Sequence, residues 1–108
     1  MKKHEGNNMW MRWRDTQTST DYKMTIQFKV PSWTRMPTIM VSVTMELPGE
    51  HDNIWVGIFG RHFEDYWAFS HWCSNFYSTF FVPVEEIFDM DDWAWAAKTW
   101  DKVCEEAE

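Results

Sequence analysis

Residues 22–30 read YKMTIQFKV, and apolar and polar side chains alternate without a break along this stretch. One side carries Tyr22, Met24, Ile26, Phe28 and Val30, and the other side carries lysine, threonine and glutamine. Successive side chains of a strand point to opposite faces of a sheet, so this period of two is typical of a half-buried strand. The stretch therefore predicts a strand with one face on the core.

The same alternation returns at residues 38–47, TIMVSVTMEL, and predicts a second strand. Its inward face holds apolar side chains only, at Ile39, Val41, Val43, Met45 and Leu47. Pro31 and Pro37 bracket the connection between the two strands, and neither residue can donate to a strand ladder. We therefore expect a loop that is longer than a tight hairpin turn.

Further strands are predicted on both sides of this pair. Residues 9–14, MWMRWR, form one, and residues 54–60, IWVGIFG, form another. This last strand is apolar on both sides, with Ile54, Val56 and Ile58 on one face and Trp55, Gly57 and Phe59 on the other. Residues 65–73 and 76–84 read best as two more aromatic-rich strands, although the first of these could instead be a short helix.

The last segment, residues 89–107, has the spacing of a helix. Its apolar positions recur at intervals of three and four and form one stripe, at Trp93, Ala96, Ala97, Trp100, Val103, Cys104 and Ala107. Trp95 falls about 160° away from this stripe, on the polar side of the helix. Asp89 or Asp91 can cap the N-terminus.

These elements together predict an α+β fold. We expect an antiparallel sheet or a small barrel of five to six strands, with one C-terminal amphipathic helix on its apolar face. The length of 108 residues suits a single domain. Within it, residues 1–8 are expected to be disordered, residues 9–84 to form antiparallel strands and residues 89–107 to form the helix.

Charge is distributed unevenly along the chain. Residues 1–84 hold eight acidic and eight basic side chains, whereas residues 85–108 hold nine acidic side chains against Lys98 and Lys102. The net charge of −7 therefore lies in the last segment and predicts a directed acidic face. Such a balance argues against direct nucleic-acid binding, which needs basic patches.

No apolar run approaches the roughly 18 residues of a membrane span, and residues 1–8 lack the apolar region of a signal peptide, so we expect a cytoplasmic protein.

Metal and catalytic chemistry have weak candidates. His62, His71 and Cys73 lie near Glu64 and Asp65, but this set does not have the ligand spacing of structural zinc. Cys73 with His71 resembles a nucleophile and a base, yet no neighbouring cation or orienting group accompanies them. We therefore predict no metal site, no cofactor and no catalytic residue.

Two candidate binding surfaces remain. The first is centred on Trp95 and has charged neighbours, namely Asp91, Asp92, Lys102 and Glu106. The second is an aromatic strand face formed by Trp55, Phe59, Trp67 and Phe69. Each has an ordinary structural alternative, because a loop or the N-terminal arm can cover Trp95 and the rings can fill a barrel.

Two functional hypotheses follow. The first is a small acidic, non-enzymatic protein-binding module of the inhibitor, immunity or anti-defence type, which docks on a basic site of a partner protein. The second is a small ligand-binding or catalytic barrel that uses the aromatic strand face. Binding by the first should weaken with ionic strength, and binding by the second should not. The sequence does not indicate an oligomeric state.

Overall fold

Five strands form one open antiparallel sheet in the computed structural model, which describes residues 3–107. In sheet order they are β1 His4–Glu5, β2 Asn8–Asp15, β3 Thr20–Lys29, β4 Thr38–Leu47 and β5 Ile54–Phe63. Four helices follow, namely α1 Tyr66–Ser74, α2 Phe76–Phe80, α3 Val84–Ile87 and α4 Met90–Ala107. The predicted α+β fold is confirmed, in the form of an open sheet with a C-terminal helix.

The register of β3 shows why its alternating pattern decides the fold. Met24 lies opposite Met11 of β2 and Val43 of β4, and all three side chains are buried. The lysines, threonines and glutamine of β3 point to the other face, which no helix among the described residues covers. One face of the sheet is therefore the core face, and we call the opposite one the outer face.

Strand β5 departs from its predicted pattern. The ladder with β4 slips between Val43 and Thr44, which pair with Phe59 and Gly57 and leave Ile58 as an extra residue. A bulge of this kind shifts the alternation by one, so that Phe59 turns towards the core while Ile58 is 43% exposed. The prediction that Ile58 shares a face with Ile54 and Val56 was wrong for this reason.

The segment between β5 and α4 is helical. The strand predicted at residues 76–84 was therefore wrong, and for residues 65–73 the structure has the short helix that the sequence left open as the alternative. Asp65 begins α1 as its N-cap and accepts a hydrogen bond from the amide of Ala68. The buried side chains then recur at a helical spacing, at Phe69, Cys73, Phe76 and Phe80. Aromatic residues favour strands in general, but burial at this spacing outweighs that preference.

Helix α4 has the predicted bounds within one residue but a rotated register. Its buried side chains are Asp92, Ala96, Thr99 and Val103, whereas Ala97 is exposed. Relative to the predicted stripe, the buried face is turned by about 70° towards Trp95. Small residues lie at the closest approach, and Trp95 and Trp100 flank them on either side, each half-buried.

The N-terminal arm is part of the sheet. Strand β1 pairs with β2, and the Trp10 amide donates to the Lys3 carbonyl at 2.9 Å. The Phe28 amide donates to the Asn7 carbonyl at 3.0 Å. The prediction of disorder was therefore wrong for residues 3–8, and residues 1 and 2 lie outside the described residues.

Candidate protein-binding groove on the helical layer

The two layers of the fold differ sharply in charge. The sheet layer, residues 3–63, has seven basic and six acidic side chains, a net of +1. The helical layer, residues 64–107, has ten acidic side chains and two basic ones, a net of −8. The acids of this layer lie at Glu64 and Asp65 and within residues 85–106, so the acidic region extends beyond α4.

A groove of about 560 Å³ opens in this acidic layer between α1 and α4. Its walls come from three helices, with Tyr66, Ser70 and Ser74 on α1, Val84 and Glu85 on α3, and Met90 and Trp93 on α4. Met90 is 84% exposed, an unusual position for a large apolar side chain. We call this feature the α1–α4 groove.

Buried aromatic contacts hold the groove walls in place. Trp93 stacks on Phe88 with ring centroids 4.8 Å apart, and it also contacts Phe69 from α1. Tyr66 packs against the same Phe69 ring at 6.0 Å. Since Phe69 is fully buried, the α1 and α4 walls pack on one fixed ring, whereas the exposed, flexible Met90 at the mouth is free to adapt.

A reciprocal pair of aspartates caps α4 beside this groove. The Asp92 amide donates to Asp89 Oδ1 at 2.8 Å, and the Asp89 amide donates to Asp92 Oδ2 at 3.0 Å. Two orphan amides at the helix start are thereby satisfied, as in a capping box. Asp89 is thus the N-cap, one of the two candidates that the sequence offered.

The Asp92 carboxylate also binds the N-terminal arm. Lys3 Nζ donates to Asp92 Oδ2 and, at 3.0 Å, to the carbonyl of Ile87, while His4 Nε2 lies 2.7 Å from Asp92 Oδ1. We call these four residues, Lys3, His4, Asp89 and Asp92, the Asp92 latch. The latch joins β1 to the start of α4 and explains the order of the arm.

Opposing effects act on the pKa of Asp92. Burial, with 1% of the residue exposed, acts to raise it. The hydrogen bonds from Lys3, the Asp89 amide and His4, together with the positive charge of Lys3, outweigh burial and hold the pKa below its ordinary value of 3.8. Asp92 is therefore a structural carboxylate. The prediction that it contacts a partner was wrong, because the protein itself surrounds it.

Trp95 is covered by the N-terminal arm, one of the two alternatives left open by the sequence. The His4 ring stacks on it at a centroid distance of 4.6 Å, and Phe28 meets it edge-on at 5.6 Å. Three other members of this predicted surface, Asp91, Lys102 and Glu106, are exposed on α4. Trp95 is therefore a half-buried packing residue beneath the arm.

The four rings of the second predicted surface do not come together. Phe69 is fully buried, Phe59 stacks on Trp72 on the core face, and Trp67 is exposed on α1. Trp55 lies on the outer face, opposite Glu46. The expectation that they share a strand face was wrong because residues 65–73 are helical and because the bulge redirects Phe59.

The histidine and cysteine candidates also separate. On helix α1, His71 and Cys73 point about 160° apart, so His71 is exposed against Trp67 while Cys73 is fully buried. Burial raises the pKa of the Cys73 thiol to about 12, so that it stays protonated at neutral pH and is a poor nucleophile. No group of three potential metal-ligating side chains is found within residues 3–107.

Sequence reasoning missed the α1–α4 groove. Two of its walls belong to segments that were predicted as strands. Met90 offered no signal in the sequence either, because this residue precedes Trp93 by three positions and so continues the predicted apolar stripe. Its exposure follows from the rotated register of α4, which turns this side of the helix away from the core.

Comparison with protein families, with characterised proteins and with solved structures finds no significant match to this chain. Among residues 3–107, no helix combines the length and the apolar character needed to cross a membrane.

Proposed function

We propose that this protein is a small binding module that presents the α1–α4 groove to a basic segment of another protein, as inhibitors, immunity proteins and anti-defence proteins do. One observation carries the proposal, namely the exposed Met90 at the mouth of an apolar groove inside a layer of charge −8. Apolar grooves that monomers leave open commonly serve as contact sites.

Apolar and acidic residues have different parts in this interaction. The apolar part of the groove, formed by Met90, Trp93 and Val84, can receive one large side chain of the partner. A side chain buried at the centre of an interface in this way holds a formed complex together. Glu85 lines the groove, and Asp89 and Asp91 lie next to Met90 in the chain. These rim charges attract a basic segment and raise its association rate. The expected partner segment thus carries lysines or arginines around one large apolar residue.

The alternative, a ligand-binding or catalytic barrel with an aromatic strand face, has less support. Its four rings lie on separate surfaces, and the sheet among the described residues is open. Cys73, the nucleophile candidate, does not have the environment of an activated nucleophile, since its thiol is buried and protonated.

A peptide-display selection tests the proposal and does not require an identified partner. A random peptide library is selected on the immobilised protein at low ionic strength and counter-selected on the Met90→Glu variant. We expect the surviving peptides to be rich in lysine and arginine around one aromatic or aliphatic residue. Synthetic versions should bind the Met90→Glu variant roughly tenfold more weakly, and binding to the wild type should decrease as salt is added.

Met36→Glu is the matched control, because Met36 is also an exposed methionine but does not line the groove. This variant should bind the selected peptides as the wild type does. Selection of acidic peptides, or equal loss of binding in both variants, would contradict the proposal. Far-UV circular dichroism of each variant verifies that the fold is kept.

A further inference from the structure

Two cations meet on the outer face of the sheet, on the side away from the α1–α4 groove. Arg12 of β2 and Lys23 of β3 are directly opposite each other in the ladder. Like charges at directly opposite positions destabilise a sheet. Neither residue takes part in any of the three ion pairs found among the described residues. This chain has an excess of acids, yet it leaves the two cations together.

The nearest acids do not neutralise this pair. Asp21 lies 3.6 Å from Arg14 and is engaged there, and Glu46 accepts a hydrogen bond from Asn53 at 2.9 Å. Glu86 shares a pocket of about 230 Å³ with Arg12 at the open edge of β2 but forms no ion pair with it. The positive charge of Arg12 and Lys23 is therefore available to a ligand.

Both cations converge on one indole ring. Lys23 Nζ lies 4.5 Å from the ring centroid of Trp55, and the Arg12 guanidinium carbon lies 5.4 Å from it. Trp55 belongs to β5, three strands away from β2, so its ring reaches across the sheet to meet Arg12. Both cationic groups thus lie over one aromatic ring on the outer face, so that a phosphate bound by them would sit next to that ring.

The outer face of the sheet beside this cluster carries small or polar residues. Lys23 pairs with Thr44, and Thr44 pairs with Gly57, while the adjacent row contains Ser42 opposite Gly60. A Cβ atom added at Gly57 or Gly60 would meet no atom within 4 Å, so the fold does not need glycine there for space. Glycine within a strand weakens it and often marks a place where a ligand approaches the backbone.

From this arrangement we infer that the outer face holds a binding site for a nucleotide, with the phosphate between Arg12 and Lys23 and the base against Trp55. Two cations suit a phosphate, the hydroxyl of the exposed Ser42 can donate to its oxygens, and an indole is a good stacking surface for a base. The expectation against nucleic-acid binding came from the net charge of the chain, whereas the acids are concentrated in the other layer. This inference does not depend on the proposed function of the groove.

A titration followed by NMR tests the site with defined probes. Adenosine monophosphate, adenosine, inorganic phosphate and a single-stranded oligoadenylate are each added to the labelled protein. The monophosphate should shift the indole resonance of Trp55 and bind at least roughly tenfold more tightly than adenosine or phosphate alone. Tighter binding of the oligonucleotide per site would identify single-stranded nucleic acid as the source of the nucleotide, and equal binding would identify the free nucleotide.

Variants separate the two parts of the site. Arg12→Gln and Lys23→Gln should each weaken binding of the monophosphate, and Trp55→Ala should abolish the preference over phosphate while Trp55→Phe retains part of it. For the oligonucleotide, the slope of log K against log salt should be about −1.4, and each cation removed should reduce it by about 0.7. Arg61→Gln, which removes an exposed arginine that lies over Phe63, is the matched control and should change nothing.

Three results would overturn the inference. Equal affinity for phosphate and for the monophosphate would leave only an anion site. Binding that is unchanged in Trp55→Ala would remove the ring from the site. An absence of binding by every probe, together with lower thermal stability of Trp55→Ala, would mean that the contacts of Arg12 and Lys23 with Trp55 only stabilise the sheet.

Discussion

At the scale of single residues, the least predictable feature is the burial of Asp92. A run of three acids and a methionine, residues 89–92, suggests a solvated helix start, and the sequence offers no sign that one carboxylate turns inward. Its partners Lys3 and His4 are almost the whole chain length away. Contacts between such distant residues depend on the completed fold, so that local patterns do not reveal them.

Asp92→Asn should lower the free energy of unfolding by about 1–2 kcal/mol, because it keeps the shape but weakens a helix cap and a charged hydrogen-bond network. The folded-state pKa of Asp92 lies below its unfolded value. Its contribution is therefore fully present above the unfolded pKa and is lost as the pH falls through the folded pKa. Denaturant melts of both proteins should differ at pH 7 and converge in strong acid. A pH-independent difference would contradict this account of the latch.

Phe81→Gly should raise the free energy of unfolding by about 1 kcal/mol, because Phe81 ends α2 in the left-handed region with φ at 60°. Glycine adopts this backbone conformation without a Cβ clash. The ring is 72% exposed, so its removal costs little. Phe81→Ala removes the same ring but keeps the Cβ atom, and it should give no such gain in thermal melts. An equal gain in both variants would assign the effect to the ring.

At the scale of elements, the apolar periodicity of the sequence predicted those strands and helices in which a single period is evident. Strand β4 has the predicted bounds, residues 38–47, because apolar side chains alternate along it and those at Ile39, Val41 and Val43 are buried against the core. The helices between β5 and α4 were missed because aromatic residues are so frequent there that a strand period of two and a helical period of 3.6 both match their positions. The bulge at Ile58 and the rotation of α4 depend on packing between elements, which a single stretch of sequence does not contain.

Ala96→Leu should destabilise the protein by about 1–3 kcal/mol, whereas Ala97→Leu should change the free energy of unfolding by less than about 0.5 kcal/mol. The sequence pattern placed both alanines on the apolar stripe. In the structure Ala96 is fully buried at the closest approach of α4, and Ala97 is exposed. Chemical denaturation of the pair measures the register directly. Similar losses of stability in the two variants would support the predicted stripe and contradict the observed rotation.

At the scale of the whole molecule, the two layers combine a nearly neutral sheet with helices of charge −8. The sequence revealed the imbalance but not its extent, because Glu64 and Asp65 join the acidic layer only through the fold. Like charges concentrated on one side repel each other in the isolated protein. A basic partner would relieve that repulsion, so the same charges that favour binding should weaken the free monomer.

Added salt should therefore stabilise this protein. An increase in ionic strength from about 0.01 M to about 0.15 M shortens the Debye length from about 30 Å to about 8 Å, which screens repulsion across the helical layer. We expect the midpoint of thermal unfolding to rise over this range. The double variant Glu85→Gln, Glu86→Gln should start from a higher midpoint and respond less, while Glu50→Gln in the sheet layer should behave as the wild type. A midpoint that falls with salt would mean that attractive pairs such as Lys3 with Asp92 outweigh the repulsion. In that case the helical layer would have no net charge repulsion that a basic partner could relieve.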